Sequence, residues 1–83
     1  MFFTLYKNVG GRTHSRFFHH YKNAEIEYRK EIEECKKIGW TIKSNVDYFN
    51  VAKGWHEIYI DGKTNQGEEF AVAIIDTYFE DLQ

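Results

Sequence analysis

The stretch Asn23-Ala24-Glu25-Ile26-Glu27-Tyr28-Arg29-Lys30-Glu31-Ile32-Glu33-Glu34-Cys35-Lys36-Lys37-Ile38-Gly39 decides the fold. Its apolar residues Ala24, Tyr28, Ile32, Cys35 and Ile38 recur at helical spacing and form one stripe, with Ile26 lying off it. Asn23 is a good N-cap, so the pattern predicts a helix over 24–38. Glu25 and Glu27 near its start and Lys36 and Lys37 near its end complement the helix dipole. Glu25→Arg29, Lys30→Glu34 and Glu33→Lys37 are spaced to pair along the wet face. Gly39 is the expected stop. One amphipathic helix must bury its stripe against something, and the flanking sequence offers strands.

Before the helix, Phe2–Asn8 is apolar and aromatic and reads as a strand ended by Gly10-Gly11. Residues 9–22 show little periodicity and read as a loop or arm. After the helix, Trp40–Val46 alternates, with Trp40, Ile42 and Val46 on one face and a possible extension through Asn50. Val51–Gly54 reads as a turn. Trp55–Ile60 is the next strand, with Trp55 and Tyr59 opposite Ile58 and Ile60. Asp61-Gly62 opens a polar connection to Gly67. Glu69–Tyr78 is the last strand; Phe70–Ile75 is apolar on both faces and so belongs at the centre of a sheet. The tail 80–83 reads as frayed. The order is β-α-β-β-β, an α+β domain in which a three-stranded meander over 40–78 and the first strand make an antiparallel sheet with one helix packed on one face. A single helix covers one side only, so the other face is expected to carry surplus aromatics.

The 83 residues make one domain. Hydrophobic residues are 42% and charged residues 29%, a composition that folds rather than stays disordered. Seven Phe, six Tyr and two Trp exceed what so small a core can hide, which points to an interface. Trp55 and Tyr59 are the candidates for a protein contact, and self-association would use the same excess. The single cysteine, Cys35, excludes an intrachain disulfide and a paired-cysteine zinc site. It falls on the helix stripe and reads as packing. A free thiol, the lack of a signal-like start and the lack of a long apolar run lead to an expectation of a cytoplasmic protein.

The net charge of −2 conceals a split. Residues 1–24 carry Lys7, Arg12, Arg16 and Lys22 and no acid; all 13 acidic residues lie beyond, so the two parts stand at +4 and −6. The basic part also holds His14, Phe17, Phe18, His19, His20 and Tyr21. Guanidinium forks, imidazoles and aromatic planes together suit phosphates and unstacked bases, so Lys7, Arg12, His14, Arg16, Phe17, Phe18, His19, His20, Tyr21 and Lys22 are candidate RNA-binding residues. The alternatives are a clamp for an acidic protein, or a structural loop whose Phe17 and Phe18 turn inward. No recognised nucleic-acid motif is present. His14, His19 and His20 near Arg16 raise metal-independent RNA cleavage as a further possibility, but adjacent histidines in an extended chain face opposite sides. Metal binding meets the same objection, and no cofactor or metal is expected. Glu31, Glu33, Glu34, Glu68 and Glu69 read as a solvated acidic face, or as a contact for a basic partner.

The aromatic start Met1–Tyr6 and the basic-aromatic segment Gly10–Tyr21 resemble the small accessory proteins of T-even phages, among them inhibitors of type III toxin–antitoxin ribonucleases. The resemblance implies a non-enzymatic protein of the host-cell cytoplasm that binds a ribonuclease toxin and RNA, with Arg12, His14, Arg16 and Lys22 as RNA contacts. The residues by themselves leave a purely protein-binding inhibitor open.

Overall fold

The computed structural model describes the backbone of residues 2–50 and 55–77, and the side chains of 2–47 and 58–75. The expected turn at 51–54, the tail 80–83 and the Trp55 side chain lie outside these residues. The elements run β1 (Phe2–Val9), β2 (Arg12–Phe18), α1 (Tyr21–Lys37), β3 (Thr41–Asn50), β4 (Trp55–Lys63) and β5 (Glu69–Thr77). They build one antiparallel sheet in the order β2-β1-β5-β4-β3 with α1 on one face. The α+β class and the antiparallel sheet with a helix packed on one face are as the sequence predicts, but the succession is β-β-α-β-β-β rather than β-α-β-β-β. The segment expected as a loop or arm instead contains β2, which makes β1 half of a hairpin and gives the sheet a fifth strand. β5 takes the central place that its apolar run requires, and β1 inserts beside it.

The hairpin forms because Val9 pairs with Arg12 across a two-residue turn. Gly10 and Gly11 both take positive φ, 56° and 86°, the combination that matches strand twist and that other residues resist. The Asn8 side chain ties the turn by accepting from the Gly11 amide at 3.2 Å and donating to Thr13 Oγ1 at 2.8 Å.

The helix begins three residues before its predicted start. His20, in extended conformation, is the N-cap and supplies no side-chain bond; its carbonyl accepts from the amides of Asn23 and Ala24. Asn23 is therefore inside the first turn, and Glu25 and Glu27 lie beyond it. The C-terminal end follows the prediction. The Gly39 amide bonds the Lys36 carbonyl and the Trp40 amide bonds the Cys35 carbonyl, which is the Schellman arrangement. Arg29 meets Glu25 at 3.5 Å as predicted, whereas Lys30 reaches Glu27 at 3.3 Å rather than Glu34.

Alternation on each strand sets one face toward α1. Leu5, Ile58, Ile60, Phe70, Val72 and Ile74 bury there against Ala24, Tyr28 and Cys35, with Phe3, Val9, Phe18, Tyr21, Ile32, Trp40 and Ile42 at the margin. A bulge between Ile42 and Ser44 alters the predicted alternation of β3. Ile42 pairs with Gly62 on the helix side, but Val46 then pairs with Tyr59 on the other. β4 also runs on through Asp61, Gly62 and Lys63, residues that read as connection in the sequence. The turn that follows is organised by buried Thr64, whose Oγ1 accepts from the amides of Gln66 and Glu68.

Burial raises the phenols of both Tyr21 and Tyr28 from 10.0 to about 12. A neutral acid with a raised folded pKa contributes stability that is fully present below its unfolded pKa and lost as pH rises through the folded one. Unfolding by urea is therefore expected to become easier between pH 10 and about 12. Urea midpoints measured at pH 9 and above pH 11, beside the tyrosinate absorbance, check this; an unchanged midpoint would contradict it.

Candidate anion-binding groove

β2 is polar and exposed almost throughout, yet its period of two sorts its chemistry. Register places Arg12 opposite Val9, His14 opposite Lys7, Arg16 opposite Leu5 and Phe18 opposite Phe3. These residues share the face that carries the helix. Thr13, Ser15 and Phe17 point to the other side. Phe17 is thus separated by the sheet from the basic residues, whereas Phe18 shares their face.

On the helix side, Leu5, Lys7, Val9, Arg12, His14, Arg16, Glu31 and Trp40 line an open groove of about 850 Å³. Its floor is apolar, from Leu5 and Val9, and the indole of Trp40 forms a wall. Three cations and an imidazole line it with the Glu31 carboxylate, and Glu27 and Glu68 reach in from its margin, so each cation has an acidic partner. Lys7 Nζ donates to Glu31 at 2.8 Å and sits 5.8 Å from the centroid of the Trp40 ring. Arg16 Nη2 donates to Glu27 at 3.2 Å and its guanidinium lies 5.6 Å from the Phe18 ring. Arg12 reaches Glu68 at 3.9 Å and stays 74% exposed. Hydrogen bonds from Arg16 and Lys30 hold the Glu27 carboxyl below its ordinary value. The two arginine pairs are solvent-facing and the Lys7–Glu31 pair is part-buried; exposed pairs are weak, so an arriving anion could displace their carboxylates. They also keep the long cationic side chains aimed along the groove.

Of the ten candidate RNA-binding residues, Lys7, Arg12, His14 and Arg16 come together here. Phe18 is half-buried against the core, and Tyr21 opens the helix and packs edge-on against Phe3 at 5.5 Å. His19 leans on Phe2 with centroids 4.7 Å apart, His20 caps the helix, and Lys22 projects from its first turn. Phe17 is 63% exposed on the opposite face. The three histidines therefore occupy mid-strand, post-strand and cap positions and do not converge on one point. Trp40 and Glu31 belong to the groove but were not in the sequence-derived set; Trp40 directly follows the Gly39 stop, and that brings it back over β1.

Cys35 is buried, and desolvation raises its thiol above the ordinary value while Lys7 pulls it down. Among the described residues no cluster of three or more His, Cys, Asp or Glu is placed to hold a metal ion, and no helix is long and apolar enough to cross a membrane. No protein-family model matches the chain, and neither a curated protein nor a solved structure is found to be similar to it.

Proposed function

We propose that this is a non-enzymatic binding protein that holds single-stranded RNA in the groove between the β1–β2 hairpin and the helix. The observation that carries the reading is the convergence of Lys7, Arg12, His14 and Arg16 beside the Trp40 indole. Guanidinium and ammonium groups take phosphates, and one aromatic wall offers a place for a base. By its resemblance to the phage accessory proteins, it would act in the host-cell cytoplasm as an inhibitor whose protein target is a ribonuclease toxin.

The measurement is RNA affinity against salt. Each phosphate contact contributes roughly −0.7 to the slope of log K against log salt for a single strand. Three cations predict a slope of about −2, and the double variant Arg12→Ala/Arg16→Ala should lower it to about −0.7. Lys22→Ala, outside the groove, should leave the slope unchanged. Wild-type protein that binds no RNA at low salt would overturn the reading.

A second reading has an observation of its own. The cations already meet carboxylates from Glu27, Glu31 and Glu68, and Phe17 is on the far side of the sheet. An acidic protein segment would replace those carboxylates without needing stacking planes. Pull-down before and after nuclease treatment separates the two readings: a protein complex that survives nuclease and is lost in Arg12→Ala/Arg16→Ala favours the second.

A further inference from the structure

The face of the sheet opposite α1 has no covering element among the described residues. Register aligns Ser15, Tyr6, Ala73, Tyr59 and Val46 in one row across all five strands. A second row holds Thr13, Asn8, Ala71, Asp61 and Ser44, and Phe17, Thr4 and Ile75 belong to a third. Ala71 and Ala73 follow one another on the same side of the central strand. They make a trough along the middle of the face, banked by Tyr6 and Tyr59 beside Ala73 and by Asn8 and Asp61 beside Ala71. At one end it opens into a depression of about 580 Å³ lined by Tyr6, Asn8, Lys43, Asp61, Lys63 and Glu69, among others. Phe17 is exposed at the margin.

We infer that this face is the interface of a homodimer, in which two copies stack sheet on sheet about a two-fold axis. Three properties fit a second copy. The charged side chains around the depression, Lys43, Lys63, Asp61 and Glu69, sum to zero, and Lys63 meets Glu69 at 3.4 Å. Such a face does not repel its own copy and offers little to a polyanion. Its relief is self-complementary: tyrosine banks on one copy match the alanine trough on the other, as an isologous contact requires. Its size is also sufficient. Five strands at about 4.8 Å spacing, over about six residues of 3.3 Å rise, project roughly 500 Å². Two such faces together cover about 1,000 Å², the lower bound for a specific interface.

The dimer would be a four-layered α-β-β-α particle. Each hairpin groove is on the helix side of its own sheet, so both grooves remain open on outer layers. The dimer is bivalent for whatever the groove binds, but it does not rest on the RNA reading.

The test is the mass of the purified chain by light scattering from about 10 to 500 μM, without RNA. Wild type is expected at twice the chain mass in the upper range. Tyr59→Lys and Val46→Lys, both outward-facing, should each run as monomers with an unchanged far-ultraviolet circular dichroism spectrum. Arg16→Ala, on the other face, should remain dimeric. A wild-type monomer over the whole range would overturn the inference and leave the face to a different protein. A dimer that both lysine variants leave intact would overturn the assignment of the face. Because no RNA is present, either result is independent of the groove.

Discussion

Replacing Tyr28 with alanine is expected to lower stability by about 3–5 kcal/mol, the range for deleting a large buried aromatic. Tyr28 is 2% exposed and is the largest of the fully buried side chains. It projects from the middle of α1 into the cluster that joins the helix to β1, β4 and β5. No other helix carries part of that burden in the described structure. Removing the ring leaves a void that the aliphatic neighbours on a hydrogen-bonded sheet cannot close. Domains of this size have unfolding free energies near the low end of about 5–15 kcal/mol, so the variant should retain no more than about 2 kcal/mol and unfold at low urea. Urea unfolding followed by circular dichroism reads the loss. Ile26→Ala is the control: Ile26 is on the same helix but 47% exposed, off the apolar stripe. Its substitution should change stability by no more than about 0.5 kcal/mol. Equal losses in the two variants would mean that the helix does not pack as described.

The helix was legible in the sequence because its signals agree. Tyr28 and Cys35 fall on one stripe, and Gly39 ends the element with the backbone bonds its position predicts. Its start was less legible. The cap at His20 uses a backbone carbonyl and no side-chain bond, so Asn23 offered a stronger but incorrect signal. β2 is hidden for a different reason. Every residue from Arg12 to Phe17 is exposed, so hydrophobic alternation has no amplitude there. Two signals were nevertheless present. Gly10-Gly11 after an apolar strand is a hairpin turn, and Arg12, His14 and Arg16 alternate with Thr13, Ser15 and Phe17. An alternation of charge rather than hydropathy marks an exposed edge strand, where cationic residues also discourage pairing between sheet edges.

The same alternation explains why the candidate site was only partly legible. As a loop, residues 12–22 could gather cations and rings on one ligand. As a strand, they cannot, because neighbouring side chains leave on opposite faces. The cations join Trp40 in the groove, while Phe17 joins Tyr6 and Tyr59 on the side of the sheet opposite the helix. Composition therefore groups residues that the fold distributes over two faces. The bulge in β3 is equally hidden from periodicity, since one extra residue between Ile42 and Ser44 reverses the face of everything after it. Val46 reaches the open face only through that reversal.

The bulge also predicts the effect of filling Gly62. This residue pairs with Ile42 on one side and Phe70 on the other, within the interior strand β4. A Cβ built there would meet the backbone carbonyl of Thr41 at less than van der Waals distance, with the Thr41 carbonyl carbon and Ile42 Cα close behind. Side chains can rotate away from such an intrusion, but backbone cannot. β3 would have to move off β4 at the point where its register already shifts. Gly62→Ala is therefore expected to cost about 3 kcal/mol, the upper part of the range for overpacking. Gly62→Val should add comparatively little, because the Cβ itself is the clashing atom. In an ordinary strand glycine to alanine is mildly favourable, so a loss in this case isolates the close approach. Amide exchange should show where it falls: protection should weaken along Thr41–Val46 and persist at the β1–β5 pairing. A variant as stable as wild type would mean that β3 does not approach β4 this closely. Val46 would then have no bulge to turn it outward, and the open face would lose one end of its central row.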